Sequence, residues 1–73
     1  MPLRPVAYRD VRRKLESAGF EIVGQRGSHV KFAKQTDEGM RTAIVPNHNE
    51  IAIGTLRSIL RQTALTVDEF EAL

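Results

Sequence analysis

Apolar residues follow two different periods along this chain, and the switches between them mark out its elements. Ala7, Val11, Leu15 and Ala18 share one stripe at helical spacing, whereas Arg9, Arg12, Arg13 and Glu16 fall off it. That pattern predicts an amphipathic helix over about residues 7–18. Pro5 lies just before its start. Gly19 follows where a left-handed cap is expected, and Phe20 is placed to close a hydrophobic contact behind it. The N-terminal cap is weak, because no Ser, Thr, Asp or Asn stands just before Tyr8.

The period then shortens to two. Phe20 to Arg26 reads as a strand with Phe20 and Ile22 on one side, and Gly27 marks a tight turn. Ser28 to Lys34 is the second strand. Alternation sends Ser28, Val30 and Phe32 to one face and His29, Lys31 and Ala33 to the other. Gln35 to Gly39 is a polar hairpin loop with its glycine at the end, and Met40 to Val45 is a third strand closed by Pro46. Asn47 to Glu50 is an irregular polar loop. Helical spacing returns with Leu56, Ile59 and Leu60, extended by Ile53 and Thr63, so a second helix runs from about Gly54 to Thr63 or Ala64. Thr66 and Glu69 fit a capping box that opens a short final helical turn ending in Phe70 and Leu73. No internal repeat, low-complexity segment or linker interrupts the pattern.

The order is therefore α-β-β-β-α with a terminal turn. Two helices on one face of a three-stranded antiparallel meander make a two-layer α+β sandwich, the same order as the double-stranded-RNA-binding domain. Fold alone does not give function.

Size and composition narrow the chemistry. The 73 residues read as one domain, 1–73, and their 41% hydrophobic content supplies one core layer between sheet and helices. There is no cysteine, which excludes disulfides, thiolate zinc sites and thiol catalysis. Two histidines are too few for a three-histidine zinc site. No metal and no cofactor is expected. No apolar run approaches the roughly 20 residues needed to span a bilayer. The Met1–Pro5 start lacks the apolar region of a signal peptide. The cytoplasm is the default location, with no membrane partner.

The net charge of +2 hides an uneven distribution. Residues 1–34 carry eight Lys or Arg against three Asp or Glu, while residues 50–73 carry two against four. A basic first half fits a polyanionic partner, and it also fits solvated helix faces. The basic half holds His29 and Lys31, one strand period apart on the face away from the core. Imidazole titrates nearest neutral pH and suits proton transfer, and lysine suits a phosphate.

Several segments together are similar to one family. Ala18-Gly19-Phe20, Gly27-Ser28-His29 with Phe32 beyond it, Val45-Pro46-Asn47-His48, and Gly54-Thr55-Leu56-Arg57-Ser58-Ile59-Leu60-Arg61-Gln62 stand in an order and spacing that resemble the HicA-type (YcfA-like) toxins of toxin–antitoxin modules. The resemblance covers nearly the whole chain. It implies a fold like that of the double-stranded-RNA-binding domain and an mRNA interferase activity. It also implies a cognate HicB-type antitoxin that neutralises the toxin in a hetero-oligomeric complex and covers the glycine-serine-histidine region. His29 occupies the position of the family's catalytic histidine. Ala7 departs from relatives that often start the first helix with serine.

With that resemblance the site residues take provisional roles. A neutral imidazole at His29 can take the proton of a ribose 2′-hydroxyl, which then attacks the adjacent phosphate without a metal; help of this kind is worth about 10²–10⁴-fold. Gly27 permits the turn and a close approach of RNA backbone. Ser28, on the core side, is expected to make a backbone hydrogen bond, and Lys31 to hold a phosphate or be an ordinary solvated lysine. His48 is either a general acid for the leaving oxygen or a residue that bonds its loop or caps the second helix. In the basic run Arg9, Arg12, Arg13 and Lys14 a solvated face is the better reading for at least two, with Arg12 kept as an RNA-binding candidate; Arg57, one turn from Arg61, is a candidate for phosphate or an antitoxin carboxylate. The aromatic residues Tyr8, Phe20, Phe32 and Phe70 offer no base-stacking platform, so sequence-specific reading of RNA is expected to be weak. The competing reading is a non-catalytic RNA-binding module of the same fold.

Overall fold

The structure is a computed structural model and describes residues 3–73; Met1 and Pro2, the first residues of the opening segment read above, lie outside the described residues. The elements are α1 (Tyr8–Ser17), β1 (Glu21–Arg26), β2 (His29–Thr36), β3 (Gly39–Pro46), α2 (Ile53–Thr63) and α3 (Val67–Glu71). The sheet is antiparallel in the order β1-β2-β3. The α+β sandwich expected from the sequence is the fold found. Among the described residues no helix is long and apolar enough to cross a membrane.

The two periods read from the sequence build the core. Val30 and Phe32 of β2 and Ala43 and Val45 of β3 point one way and are buried, against Val11 and Leu15 of α1 and Leu56, Ile59 and Leu60 of α2. Phe20, Ile51 and Phe70 close the ends of this layer. Burying each such side chain contributes about 1.5–3 kcal/mol, so Phe32, fully buried at the centre of β2, is a principal anchor. Among the described residues Thr63 is the one buried polar side chain, and its hydroxyl donates to the carbonyls of Ile59 (2.9 Å) and Leu60 (3.3 Å).

The helix ends behave as their residues dictate. Ala7 caps α1 with no side-chain hydrogen bond. At the other end Gly19 adopts φ +98°, its N–H donates to Glu16 O (3.0 Å), and Phe20 N–H donates to Leu15 O (2.9 Å). This is a Schellman closure with Phe20 buried beside Leu15. A Cβ at Gly19 would also stand 3.1 Å from Cε of Lys34, whose stem crosses there towards the Phe20 ring. The α3 turn carries the expected capping box: Glu69 N–H donates to Thr66 Oγ1 (3.0 Å), and Thr66 N–H donates to Glu69 Oε1 (2.8 Å). Lys14 holds this last turn from across the chain. Its Nζ donates to the carbonyls of Phe70 (3.0 Å) and Leu73 (3.1 Å) and sits 5.1 Å from the Phe70 ring centroid.

Three readings are corrected. Strand β2 begins at His29, because Arg26 pairs with His29 and leaves only Gly27 and Ser28 in the turn. Gly27 has φ +59° and Ser28 does not, the pattern of a type II′ hairpin with glycine first. Ser28 is thus an exposed turn residue and does not point to the core. The polar loop shrinks to Asp37 and Glu38, since Thr36 pairs with Gly39. Ile22, expected on the core side, is exposed: β1 is an edge strand, exposed along its length and bulged between Ile22 and Gly24. A bulge on an open edge discourages pairing with another chain. The other edge is protected differently, with Ile44 N–H donating to Gln62 Oε1 of α2 at 2.9 Å.

One connection has no counterpart in the sequence pattern. Val6 and Ile51 form an isolated antiparallel bridge, with N–H to O distances of 3.2 Å and 2.7 Å. It ties the segment entering α1 to the segment entering α2.

Candidate functional site

His29 is the first residue of β2, and its neighbours follow from the register. It lies opposite Arg26 on β1 and Pro46 on β3; two residues on, Lys31 lies opposite Gly24 and Ile44. Residues directly opposite one another share a face, so Arg26, His29 and Lys31 stand together on the sheet face away from the helices. Gly24 carries no side chain between them. The result is a shallow depression of about 340 Å³ lined by Gly24, Gln25, Arg26, His29, Lys31 and Ile44. Arg26, His29 and Lys31 are exposed. None of the three has a side-chain hydrogen bond or ion pair among the described residues, where the ion pairs are Arg12–Glu16 and Arg41–Glu38. Such an arrangement offers an imidazole for proton transfer beside two unneutralised cations able to meet a phosphate.

The loop after β3 is fastened to this corner. Asn47 N–H donates to Ser28 O at 2.6 Å, and His48 N–H turns back to Pro46 O at 2.9 Å. This contact uses the main-chain carbonyl of Ser28; the Ser28 side chain, expected to bond backbone from the core side, is exposed and makes no hydrogen bond among the described residues. His48 opens into a different depression, about 360 Å³ in volume, lined by Ala7, Tyr8, Arg9, Asn47, His48 and Asn49. Its side chain makes no hydrogen bond among the described residues. Helix α2 is capped by Ala52 with no side-chain bond, so His48 is not its cap.

The remaining candidates lie on the helical layer. Arg12 reaches Glu16 Oε2 at 3.5 Å on the solvent side of α1, an exposed pair of the kind that contributes little. Arg57 and Arg61 flank a third depression with Leu60, Ala64, Leu65, Thr66 and Val67 at the α2–α3 junction. Lys14, read as part of the basic run, is turned towards α3. The structure thus gathers Gly27, Ser28, His29, Lys31 and the His48 loop at one corner, and leaves Arg12 and Arg57 on the layer behind the sheet. Arg26 and Gly24 were missed by the sequence reading. Pairing Arg26 with His29 across a two-residue turn would have found them. Among the described residues no three His, Cys, Asp or Glu side chains converge as metal ligands would.

Comparison with known proteins bears on the family of the chain. A family model described as the HicA toxin of bacterial toxin–antitoxin systems matches residues 8–65 of the 73. No curated protein matches the chain. The matched stretch runs from the first residue of α1 past the end of α2, and so includes the hairpin corner and the His48 loop, while α3 follows it. With most of its length matched and the fold as expected, the chain belongs to the HicA toxin family of bacterial toxin–antitoxin systems.

Proposed function

We propose that this toxin is a metal-independent endoribonuclease that cuts mRNA with His29 as general base, and that a cognate HicB-type antitoxin neutralises it by covering the open sheet face. The observation that carries the reading is the free, exposed imidazole of His29 in one row with Arg26 and one strand period from Lys31. The neutral imidazole takes the proton of a ribose 2′-hydroxyl. The 2′ oxygen bonds to the adjacent phosphorus, the bond from phosphorus to the 5′ oxygen breaks, and the leaving oxygen takes a proton from the solvent that reaches this face. A 2′,3′-cyclic phosphate remains. Arg26 and Lys31 offset the charge that builds on the phosphate.

The open face also explains the selectivity expected. It carries no aromatic side chain: Phe20, Phe32 and Phe70 are buried. Recognition then rests on backbone phosphates and the 2′-hydroxyl rather than on stacked bases. For the antitoxin, the same face offers exposed Met40 and Ile44 alongside the cations. An acidic partner with apolar anchors fits that mixture, and charge pairing should make its association fast and salt-sensitive. Cleavage of RNA in the presence of chelator, lost in His29→Ala, tests the reading. RNA binding without cleavage by the wild-type protein would favour the non-catalytic module instead.

A further inference from the structure

We propose that the cleft lined by Arg9 and His48 is a second phosphate subsite, which holds a phosphate of the RNA next along the chain from the one at His29. The inference rests on the reading of RNA as the substrate. Its own support is separate from the His29 corner.

Arg9 is the first consideration. It is exposed and unpaired among the described residues, and it stands in the first turn of α1. A cation there opposes the helix dipole, so Arg9 works against the stability of its own helix. An anionic ligand removes that conflict. His48 is the second. Its side chain bonds nothing among the described residues and caps no helix, yet its loop is held by the bond from Asn47 N–H to Ser28 O (2.6 Å). The Val6–Ile51 bridge holds the two segments that flank the cleft. The cleft is therefore fixed relative to the hairpin that presents His29.

Its lining fits a phosphate group. Arg9 donates from a fork, Asn47 and Asn49 bring amide donors, His48 brings an imidazole, and no carboxylate lines the space; Asp10 and Glu50 are next in sequence to lining residues but outside it. The turn joins the two segments, and on the side where a Cβ would stand Gly27 has open space, while its carbonyl accepts from Gln25 Nε2 (3.0 Å). A nucleic-acid backbone can pass over that point from one depression to the other.

The test uses the full chain and a 2′-O-methyl RNA oligonucleotide, which the proposed chemistry cannot cut. Affinity and its salt dependence are measured for wild type, Arg9→Ala, Arg9→Lys, His48→Ala and Asn49→Asp. The subsite predicts roughly tenfold weaker binding for Arg9→Ala, a salt slope reduced by about one, a smaller loss for Arg9→Lys, and the largest loss for Asn49→Asp. It also predicts that Arg9→Ala melts no lower than wild type, which a structural role for Arg9 would reverse. Unchanged affinity in these variants, with wild type still binding, overturns the subsite and leaves the RNA reading standing. Loss of antitoxin binding with RNA binding unchanged overturns it as well and makes the cleft a protein contact. Failure of wild type to bind the oligonucleotide removes both.

Discussion

Asn47 and Ser28 are joined by one backbone hydrogen bond of 2.6 Å, and through it the two histidine-bearing segments of this toxin become one corner. His29 follows Ser28 directly, and His48 follows Asn47. Each histidine opens into its own depression, one on the bare face of the sheet and one beside the start of α1. The bond links backbone to backbone, so side-chain substitutions at Ser28 or Asn47 should leave the corner in place.

Lys14 separates folding from function within the basic half. Its ammonium satisfies two carbonyls at the end of α3 and lies over Phe70, and hydrogen bonds to charged groups are worth about 1.5–3 kcal/mol. Lys14→Met should lower the unfolding free energy by about that amount in denaturant titrations, while RNA cleavage per folded molecule stays within a few-fold of wild type. A large loss of activity in fully folded Lys14→Met would put Lys14 on the RNA surface after all.

Two alanines stand where other residues serve better. Ala7 has the extended backbone of an N-cap (φ −63°, ψ 145°) but no side chain to bond the first turn. Ala7→Ser should stabilise by about 0.5–2 kcal/mol. Ala64 ends α2 in the left-handed region (φ 60°), which costs a non-glycine residue roughly 1–2 kcal/mol. Ala64→Gly should therefore raise the melting temperature, with the gain reduced by glycine's greater freedom in the unfolded chain. Calorimetry checks both; a lower melting point in either variant would refute the capping argument for that helix.

Acid should loosen α3 first. The hydrogen bonds from the Thr66 backbone and then its side chain hold the Glu69 carboxyl below its ordinary range. A carboxyl lowered in the folded state contributes stability that is present above its unfolded pKa and is lost as pH falls through the folded one. Amide protection factors around Phe70, corrected for the intrinsic pH dependence of exchange, should fall over that acidic window in wild type. In Glu69→Gln the acid-dependent component should vanish; its persistence would assign the effect to another group.

Much of this was legible in the sequence, for reasons that differ by element. The stripes of α1 and α2 and the alternation of β2 reflect burial on one side, so they survive in a single chain and place His29 and Lys31 on the open face. Ser28 was misread because strand alternation was extended through a residue that the hairpin turn consumes. Ile22 was misread because an edge strand with a bulge no longer obeys a strict period of two. The Val6–Ile51 bridge involves one residue on each side and leaves no period at all, and without it Arg9 and His48 have no visible relation. Lys14 and Arg12 look alike on a helical wheel; only the return of the chain to Phe70 and Leu73 tells them apart.

The antitoxin reading makes its own demand. If the partner covers the open sheet face, saturating antitoxin should displace RNA from His29→Ala, which keeps the backbone and cations of the site. Increasing salt should slow the association of toxin and antitoxin. A ternary complex with RNA still bound would show that neutralisation works from another surface.

The most direct measurement is cleavage of a chimeric oligonucleotide, with one ribose among deoxyriboses, by wild type and His29→Ala in excess chelator. The account predicts that wild type cuts only at the ribose, leaves a 2′,3′-cyclic phosphate, and loses about 10²–10⁴-fold in rate on His29→Ala with the fold intact. Cutting at a deoxyribose, or an undiminished rate in folded His29→Ala, would contradict it.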